Sequence, residues 1–287
     1  MADDWYKNKE ISTEKAEVFK PANRCIYCPD GKPPFSREHV IPRGLGGGLV
    51  YPKASCSKCQ KIIHEVETYC MRGPFLSHRL KVGLVNYLED LGDTLQMPII
   101  IDGKRHEKTF SVDDYPNFLV LPQFHDPPGL MTGRTDRTGR VSYSIWGNEE
   151  QLRALHAEGN AILVENFDLN KFGRAIAKIA HGTVAGQLGL ENLEPFLTDY
   201  ILGKAPQAGD IFLGNWGEDG MRRHANLLHQ VGMGFVDVGN RVRVDVRLRL
   251  FAAYENTPVY RIIVGLLTKP LDVILAPLGQ RSVRPNS

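Results

Sequence analysis

The chain has 287 residues, of which 42% are hydrophobic and 9% aromatic, enough to bury one large core or two ordinary ones. This composition excludes an intrinsically disordered protein, and no apolar run approaches the roughly 18 residues that a membrane helix needs. The acidic N-terminus lacks the apolar stretch of a secretory signal. We therefore expect a cytoplasmic protein with no membrane partner.

Residues 1–23 form a polar lead-in, with a short helix expected over residues 13–19 that Pro21 stops. The charge pattern changes just after it. The net charge of the chain is only +2, but residues 20–81 contain eleven Lys or Arg and four Asp or Glu. A polyanion such as nucleic acid is the natural partner of a basic region of this kind.

Four of the five cysteines form two Cys-x-x-Cys pairs, Cys25 with Cys28 and Cys56 with Cys59. Each pair can close a tight turn that aims two thiolates at one point, and four thiolates in a tetrahedron are typical of structural zinc. Disulfides or unrelated buried thiols are the alternative, but the pairing favours zinc in a reducing, intracellular setting. The remaining Cys70 is expected to be buried as a small hydrophobic residue.

Between the two cysteine pairs an acid and a histidine lie side by side, Glu38 and His39, followed by Val-Ile-Pro and a glycine run. A neutral imidazole can accept a proton from water, and a carboxylate offers a hard oxygen to a divalent cation. Adjacent residues on a strand point to opposite faces, so we expect a bend or bulge at this pair. Gly46, Gly47 and Gly48 permit a sharp turn after it. A solvated loop is the simpler alternative.

The order Cys-x-x-Cys, Glu-His-Val-Ile-Pro, Leu-Gly-Gly, Cys-x-x-Cys over residues 24–68 resembles the zinc-stapled branch of the HNH (His-Asn-His) endonucleases of the ββα-metal type. The resemblance implies that His39 is a general base and that Glu38 binds a catalytic Mg²⁺ or Mn²⁺. It also implies a separate structural zinc ion at the four cysteines, in a closed site with no open position for substrate.

The helix after the second cysteine pair departs from that family, which usually has Asn or His directly after the pair to help hold the catalytic metal. This chain has Gln60 there. His64 lies one turn further on the same helix face, and we expect it to bind the divalent ion in place of the missing residue. Gln60 is the alternative ligand, and Glu67 continues the same face and could support the site.

Five basic residues around the motif are candidate phosphate contacts. Each of them alone is an ordinary solvated surface charge, but together they should supply sequence-independent, salt-sensitive affinity for nucleic acid. They are Arg37, Arg43, Lys53, Lys58 and Lys61.

The rest of the chain predicts a larger α+β region. A zinc-stapled ββα module over residues 24–70 is followed by a basic bridge and helix over 71–96, and this helix is expected to end near Gly92. A mixed antiparallel-sheet and helix region over 97–269 comes next, and the chain ends in a loose tail over 270–287. Asp102-Gly103 predicts a hairpin turn. Strands are expected at 118–124, 141–146, 161–165, 210–213, 225–230, 234–238, 242–253 and 259–267, and helices at 149–158, 170–188 and 194–202.

Two basic stripes in this region have two interpretations. Strand alternation puts Arg241, Arg243, Asp245, Arg247 and Arg249 on one face. Helical spacing puts Lys171, Arg174, Lys178 and His181 on another. Either stripe could face DNA, but we expect both to be solvated surface, since arginine also protects strand edges from aggregation.

These observations lead to a metal-dependent DNA endonuclease as the first hypothesis. The alternative is a non-catalytic zinc-containing module that binds nucleic acid without cutting it, and Glu38 and His39 argue against it because a structural zinc knuckle does not need them. A Cys-x-x-Cys redox protein ranks last, because the surrounding βαβ pattern is missing. The oligomeric state, including a homodimer, stays open.

Overall fold

The computed structural model describes residues 9–12, 17–84, 92–101, 104–134, 140–157, 161–162, 167–215, 221–224 and 226–279. The described part is a mixed α+β structure in which a cysteine-containing ββα unit precedes a larger sheet-rich region, so the expected fold class is confirmed. Within these ranges, no helix combines the length and the apolar character needed to cross a membrane.

The first part of the chain forms the ββα unit. Strand β4 pairs in parallel with β2 and antiparallel with β3, and helix α1 follows β4 directly. A 3-10 turn, Arg43–Leu45, joins β3 to β4. The bounds are β2 Glu17–Val18, β3 Phe35–His39, β4 Leu49–Cys56 and α1 Ser57–Arg72. The helix expected after the second cysteine pair is therefore confirmed.

Two small antiparallel sheets come next. A short helix α2 leads to the hairpin β5–β6, in which β5 also pairs with β9. The second sheet consists of β7 paired with β8. Ile101 pairs with Lys104, so the strands flank the predicted turn, whose residues 102–103 lie outside the described part. The bounds are α2 Leu76–Lys81, β5 Thr94–Ile101, β6 Lys104–Ser111, β7 Phe118–Phe124, α3 Gly129–Thr132, β8 Val141–Gly147, α4 Glu149–Ala157 and β9 Ala161–Ile162.

The largest sheet has the strand order β1-β12-β13-β14-β10, with β11 also paired to β14, and every pairing in it is antiparallel. Its strands are β1 Lys9–Ser12, β10 Leu193–Pro195, β11 Leu213–Asn215, β12 His229–Val238, β13 Arg241–Leu250 and β14 Val259–Leu267. The helices of this part are α5 Leu169–Leu188, α6 Thr198–Ile201, α7 Ala208–Phe212 and α8 Leu271–Gly279.

Helix α5 is the centre of the core. It starts at Asp168, whose side chain accepts a hydrogen bond from the Lys171 amide at 2.9 Å, and it ends at Gly189. The helix packs against α1, β13 and β14, and one continuous hydrophobic cluster contains residues of both the ββα unit and the large sheet. Glycine permits a close approach between α5 and Phe19, because a Cβ at Gly186 would lie 2.3 Å from the Phe19 ring. The predicted 24–70 and 97–269 regions therefore share their core.

Several predicted boundaries were wrong. Residues 17–18 are a strand where a helix over 13–19 was expected, and residues 13–16 lie outside the described part. Residues 194–202 contain a strand end and a short helix, and most of 210–213 is helix α7. The two strands expected between 225 and 238 are one strand, β12, because the glycines at 232 and 234 do not break the ladder.

The ends of two predicted segments fall partly outside the described residues. The helix expected to end near Gly92 is the shorter α2 as far as the structure describes it, since residues 85–91 are not described. The tail expected to be loose begins as helix α8, and its residues 280–287 are not described.

Both basic stripes, expected to be solvated, are largely buried. On β13, Asp245 is fully buried and accepts from Arg243 Nε at 2.8 Å and from Arg261 Nη2 at 2.5 Å. On α5, Lys178 and His181 are fully buried. Asp245 and Lys178 each have opposite charges beside them, which is the condition for burying a charge without a large loss of stability.

Candidate functional site

The four cysteines of the two pairs converge on one point. The Sγ atoms of Cys25, Cys28, Cys56 and Cys59 all lie within 4.8 Å of one another, and Cys28 Sγ lies 3.7 Å from Cys56 Sγ and 3.4 Å from Cys59 Sγ. Four zinc–sulfur bonds of about 2.3 Å in a tetrahedron place the sulfurs about 3.8 Å apart. All of the cysteines are free thiols, so the disulfide alternative is wrong. We call these four residues the cysteine cluster; they form a zinc-type metal site.

Two residues that the sequence analysis missed hold the cysteine cluster in place. A Cβ on Gly31 would lie 2.5 Å from the Cβ of Cys25, so only glycine lets the chain pass this close. His181 of α5 approaches the loop between the first two cysteines, and its Nε2 lies 2.7 Å from the Ile26 carbonyl oxygen. Burial lowers the pKa of His181 to about 4, so its imidazole is neutral.

The fifth cysteine, Cys70, lies apart from the cluster on α1 and is 2% exposed. Burial raises the pKa of its thiol to about 12, so it stays protonated. Its predicted role as a small buried hydrophobic residue is confirmed.

Beside the cysteine cluster a cleft of about 560 Å³ opens between the end of β3, the loop that follows it and one face of α1. We call it the His39 cleft. It brings the predicted site residues Glu38, His39, Gln60 and His64 together, although they lie on two different elements. The lining residues are Arg37, Glu38, His39, Pro42, Arg43, Gly44, Ser57, Gln60, Lys61, Ile63, His64, Glu67 and Met71.

The expected irregularity in β3 lies just before the Glu-His pair. The pairing of β3 with β4 shifts between Ser36 and Glu38, after which Glu38 pairs with Tyr51 and His39 with Val50. A bulge re-aims the side chains that follow it, and here Glu38 and His39 both line the cleft.

Not all of the predicted phosphate contacts reach the cleft. Arg37, Arg43 and Lys61 line it, whereas Lys53 and Lys58 are exposed elsewhere. Gln60 and His64 are exposed on the α1 face, where His64 Nε2 lies 3.5 Å from the Thr68 hydroxyl.

The largest departure from the expected site is Lys178, whose side chain extends to it from α5. Its Nζ lies 2.7 Å from Glu38 Oε1 and 2.7 Å from Glu67 Oε1, and it also donates to the His39 carbonyl and, at 3.1 Å, to the Val40 carbonyl. Burial alone would lower the pKa of Lys178, but the two carboxylates raise it above its usual value, so the residue is an ammonium.

Because of this ion pair, the Glu38 carboxylate is less accessible to a metal ion than a carboxylate at the cleft surface would be. Its side chain is 7% exposed, and burial raises the pKa of Glu38 although Lys178 acts in the opposite direction. Since Oε1 contacts Lys178, at most the second oxygen is left for a metal ion. Glu38 was expected to be a free ligand, because its ion-pair partner lies 140 residues further along the chain.

The imidazole of His39 is half-buried at the edge of the cleft. Its Nδ1 is buried and has no hydrogen-bond partner within the described part of the chain. Burial lowers the pKa of His39, and the nearby cations Lys178, Arg37 and Arg43 lower it further. The ring is therefore neutral at pH 7, the form that accepts a proton.

The loop after His39 is fixed by the predicted glycines and by residues from outside the motif. Gly46 has φ +78°, and a Cβ at Gly47 would lie 2.1 Å from the Ile41 carbonyl oxygen, so the expected need for glycine is confirmed. His229 of β12 accepts from the Phe251 amide through Nδ1 and donates through Nε2 to the Leu45 carbonyl at 2.7 Å.

The opposite side of this loop is tied to the end of α1. Arg79 of α2 donates through Nε to the Gly44 carbonyl at 2.6 Å and through Nη1 to the Met71 carbonyl at 2.7 Å. One of the cations in the basic excess thus acts as a structural bridge, and it is not available for nucleic acid.

With this geometry established, the chain was compared with known families, with curated proteins and with solved structures, and none of the three comparisons found a match.

Proposed function

We propose that the chain is a metal-dependent DNA endonuclease that hydrolyses phosphodiester bonds in the His39 cleft. The observation that carries the proposal is the convergence of a neutral imidazole, His39, with Gln60 and His64 of α1 in one open cleft with a cationic lining. A hydrolase needs a base for water, a ligand set for a cation and a surface for the phosphate backbone, and this cleft offers all three.

The base in this proposal is His39. Its ring is neutral at pH 7 and lines the cleft, so it can accept a proton from a water molecule placed beside a phosphate group. The cations Arg37, Arg43 and Lys61 lie along the same cleft and would hold the phosphate backbone in place through charge.

Two metals have separate roles. A structural zinc ion fits the cysteine cluster, whose four sulfurs leave no open position. A catalytic Mg²⁺ or Mn²⁺ would be held by His64 and Gln60, whose nitrogen and oxygen donors are exposed in the cleft, with the second oxygen of Glu38 as a further ligand. When bound, this ion supplies stabilisation of negative charge on the phosphate.

The test is incubation of the purified protein with supercoiled plasmid and Mg²⁺ or Mn²⁺, beside the His39→Ala variant. We expect the parent to convert plasmid to nicked or linear forms. The variant should lose at least about 100-fold in rate, as for loss of a general base, while its fold and zinc content stay intact. Cleavage by the variant at the parent's rate would contradict the proposal, and loss of zinc in the variant would make His39 structural.

A non-catalytic nucleic-acid-binding module is the second candidate, and one observation favours it. Lys178 engages both carboxylates that face the cleft, so few hard oxygen ligands are left for a catalytic ion. In that case the parent protein would retain plasmid in a gel-shift assay and leave it uncut at every metal concentration.

A further inference from the structure

One side chain of the largest region, Lys178, contacts residues that line the His39 cleft. Lys178 lies in the middle of α5 and is 1% exposed, and its contacts converge on the last two residues of β3 and the residue after it: the side chain of Glu38 and the carbonyl oxygens of His39 and Val40. Its fourth contact is Glu67 of α1. A single ammonium therefore connects both walls of the cleft to α5.

The imidazole of His39 has little else to orient it. Within the part of the chain that the structure describes, Nδ1 of His39 has no hydrogen-bond partner, so no second side chain fixes the ring through that atom. The backbone of His39 is held on two sides, since β3 pairs with β4 and Lys178 donates to the His39 carbonyl.

We propose that Lys178 is a positioning residue that holds the His39 backbone and the Glu38 carboxylate in the arrangement needed for hydrolysis, an inference that rests on the proposed nuclease function. Lys178 touches neither substrate nor water in this role. It acts by fixing the end of β3 relative to α1, through two carbonyl contacts and two ion pairs.

Lys178→Met alone is a poor test, because it leaves Glu38 and Glu67 facing each other without a cation and we expect it to unfold. The informative variant is Lys178→Met with Glu67→Gln, which has the same net charge as the parent. It is compared with Glu67→Gln alone. Lys171→Met serves as a second control, since Lys171 lies on the same helix but is 43% exposed, and its ammonium contacts Asp168 and the Tyr69 ring.

Three measurements are made on each variant: zinc content with thermal unfolding, the kcat and KM of plasmid nicking, and the nuclear magnetic resonance spectrum of ¹⁵N-labelled histidine rings. We expect the double variant to retain zinc and fold, to lose at least about 100-fold in kcat relative to Glu67→Gln with KM little changed, and to show shifted or broadened His39 ring signals, because a displacement of about 1 Å has such an effect on rate. Lys171→Met should match the parent.

The outcomes separate the two proposals. An inactive parent would contradict the nuclease function, and the His39 ring signals would then still decide the role of Lys178. An active parent, with a double variant that equals Glu67→Gln in kcat and in its His39 signals, would overturn the positioning role and leave Lys178 as a neutraliser of buried carboxylates.

Discussion

The cysteine cluster and the His39 cleft lie on the same ββα unit, yet they are built in different ways. All four sulfurs of the cluster come from residues 25–59, whereas the cleft depends on Lys178 of α5, His229 of β12 and Arg79 of α2. The ligands of the cluster are thus local in sequence, although His181 of α5 supports the loop between the first two of them, whereas the cleft depends on residues from several distant parts of the chain. A reaction at this site would require the large region to be folded and docked against the unit.

The largest effect is expected from Cys56→Ser, which removes one ligand of the cluster. Zinc should be lost, and with it a large part of the metal's contribution to folding, on the order of 10 kcal/mol for structural zinc sites. Because Cys25, Cys56 and Cys59 belong to the same hydrophobic cluster as α5, we expect the melting temperature of the whole chain to fall in one transition. Calorimetry and metal analysis measure this.

The matched control is Cys70→Ser, which also replaces a buried thiol on the ββα unit but outside the cluster. It should keep one equivalent of zinc and lose only about 1–3 kcal/mol, from burying a hydroxyl. If Cys56→Ser instead showed a separate unfolding transition with the parent's melting temperature, the ββα unit would be an independent module. The shared core would then contribute little to stability.

A smaller effect concerns the cleft and acid pH. Burial, opposed by the hydrogen bond to Leu45, lowers the pKa of His229 to about 4, from the roughly 6.5 expected in the unfolded chain. Between these two values the unfolded state binds the extra proton, so the stability contributed by neutral His229 is present above pH 6.5 and is lost as the pH falls toward 4. At pH 5 the loss from this residue is about 2 kcal/mol.

The measurement is urea unfolding at several pH values for the parent and for His229→Gln, whose side chain can still donate a hydrogen bond but does not titrate. Protonation of the cysteine cluster affects both proteins equally, so the difference isolates His229. The variant should lose less stability between pH 7 and pH 5. Equal pH dependence of the two proteins would show that His229 is not held neutral.

These residues also show how much the sequence could predict. The cysteine cluster, the glycine turn at Gly46, α1 and the limits of α5 follow from short-range patterns, and each was found. Lys178 was assigned to a solvated stripe because a lysine at helical spacing with other cations is usually exposed. Nothing nearby in sequence indicates its partners, Glu38 and Glu67, which are more than 100 residues away.

The arginine-rich strand β13 was also predicted to be solvated, although here the sequence contained a sign of the internal ion pair. Alternating Arg and aliphatic residues are typical of a sheet with one solvent-exposed face, but here both faces are covered and Asp245 forms ion pairs with Arg243 and Arg261. Asp245 lies two residues from Arg243 on the same strand face, so the sequence did contain a sign of an internal ion pair. What the local sequence does not contain is the burial of that face, which depends on how the whole chain folds.

The catalytic metal gives a further prediction, of moderate size. If His64 binds the divalent ion, His64→Ala should raise the Mn²⁺ concentration for half-maximal nicking by at least about tenfold, and Gln60→Ala should raise it less, because an amide oxygen is the weaker donor. Both residues line the cleft on one face of α1, so the pair is closely matched. If His64→Ala cuts like the parent at limiting metal, His64 is not a ligand.

The smallest effect distinguishes cations that line the cleft from cations that do not. Lys61 and Lys58 lie three residues apart near the start of α1, but only Lys61 faces the His39 cleft. If the backbone of DNA runs through the cleft, Lys61→Ala and Arg43→Ala should each reduce the slope of log K against log salt concentration by about 0.9 for duplex DNA. Lys58→Ala and Lys53→Ala should leave the slope unchanged.

Fluorescence anisotropy with a labelled duplex, titrated between about 50 and 200 mM salt, measures each slope. Equal slopes for all four variants would mean that DNA binds to the basic surface as a whole, and that the cleft has no preferred path for the backbone.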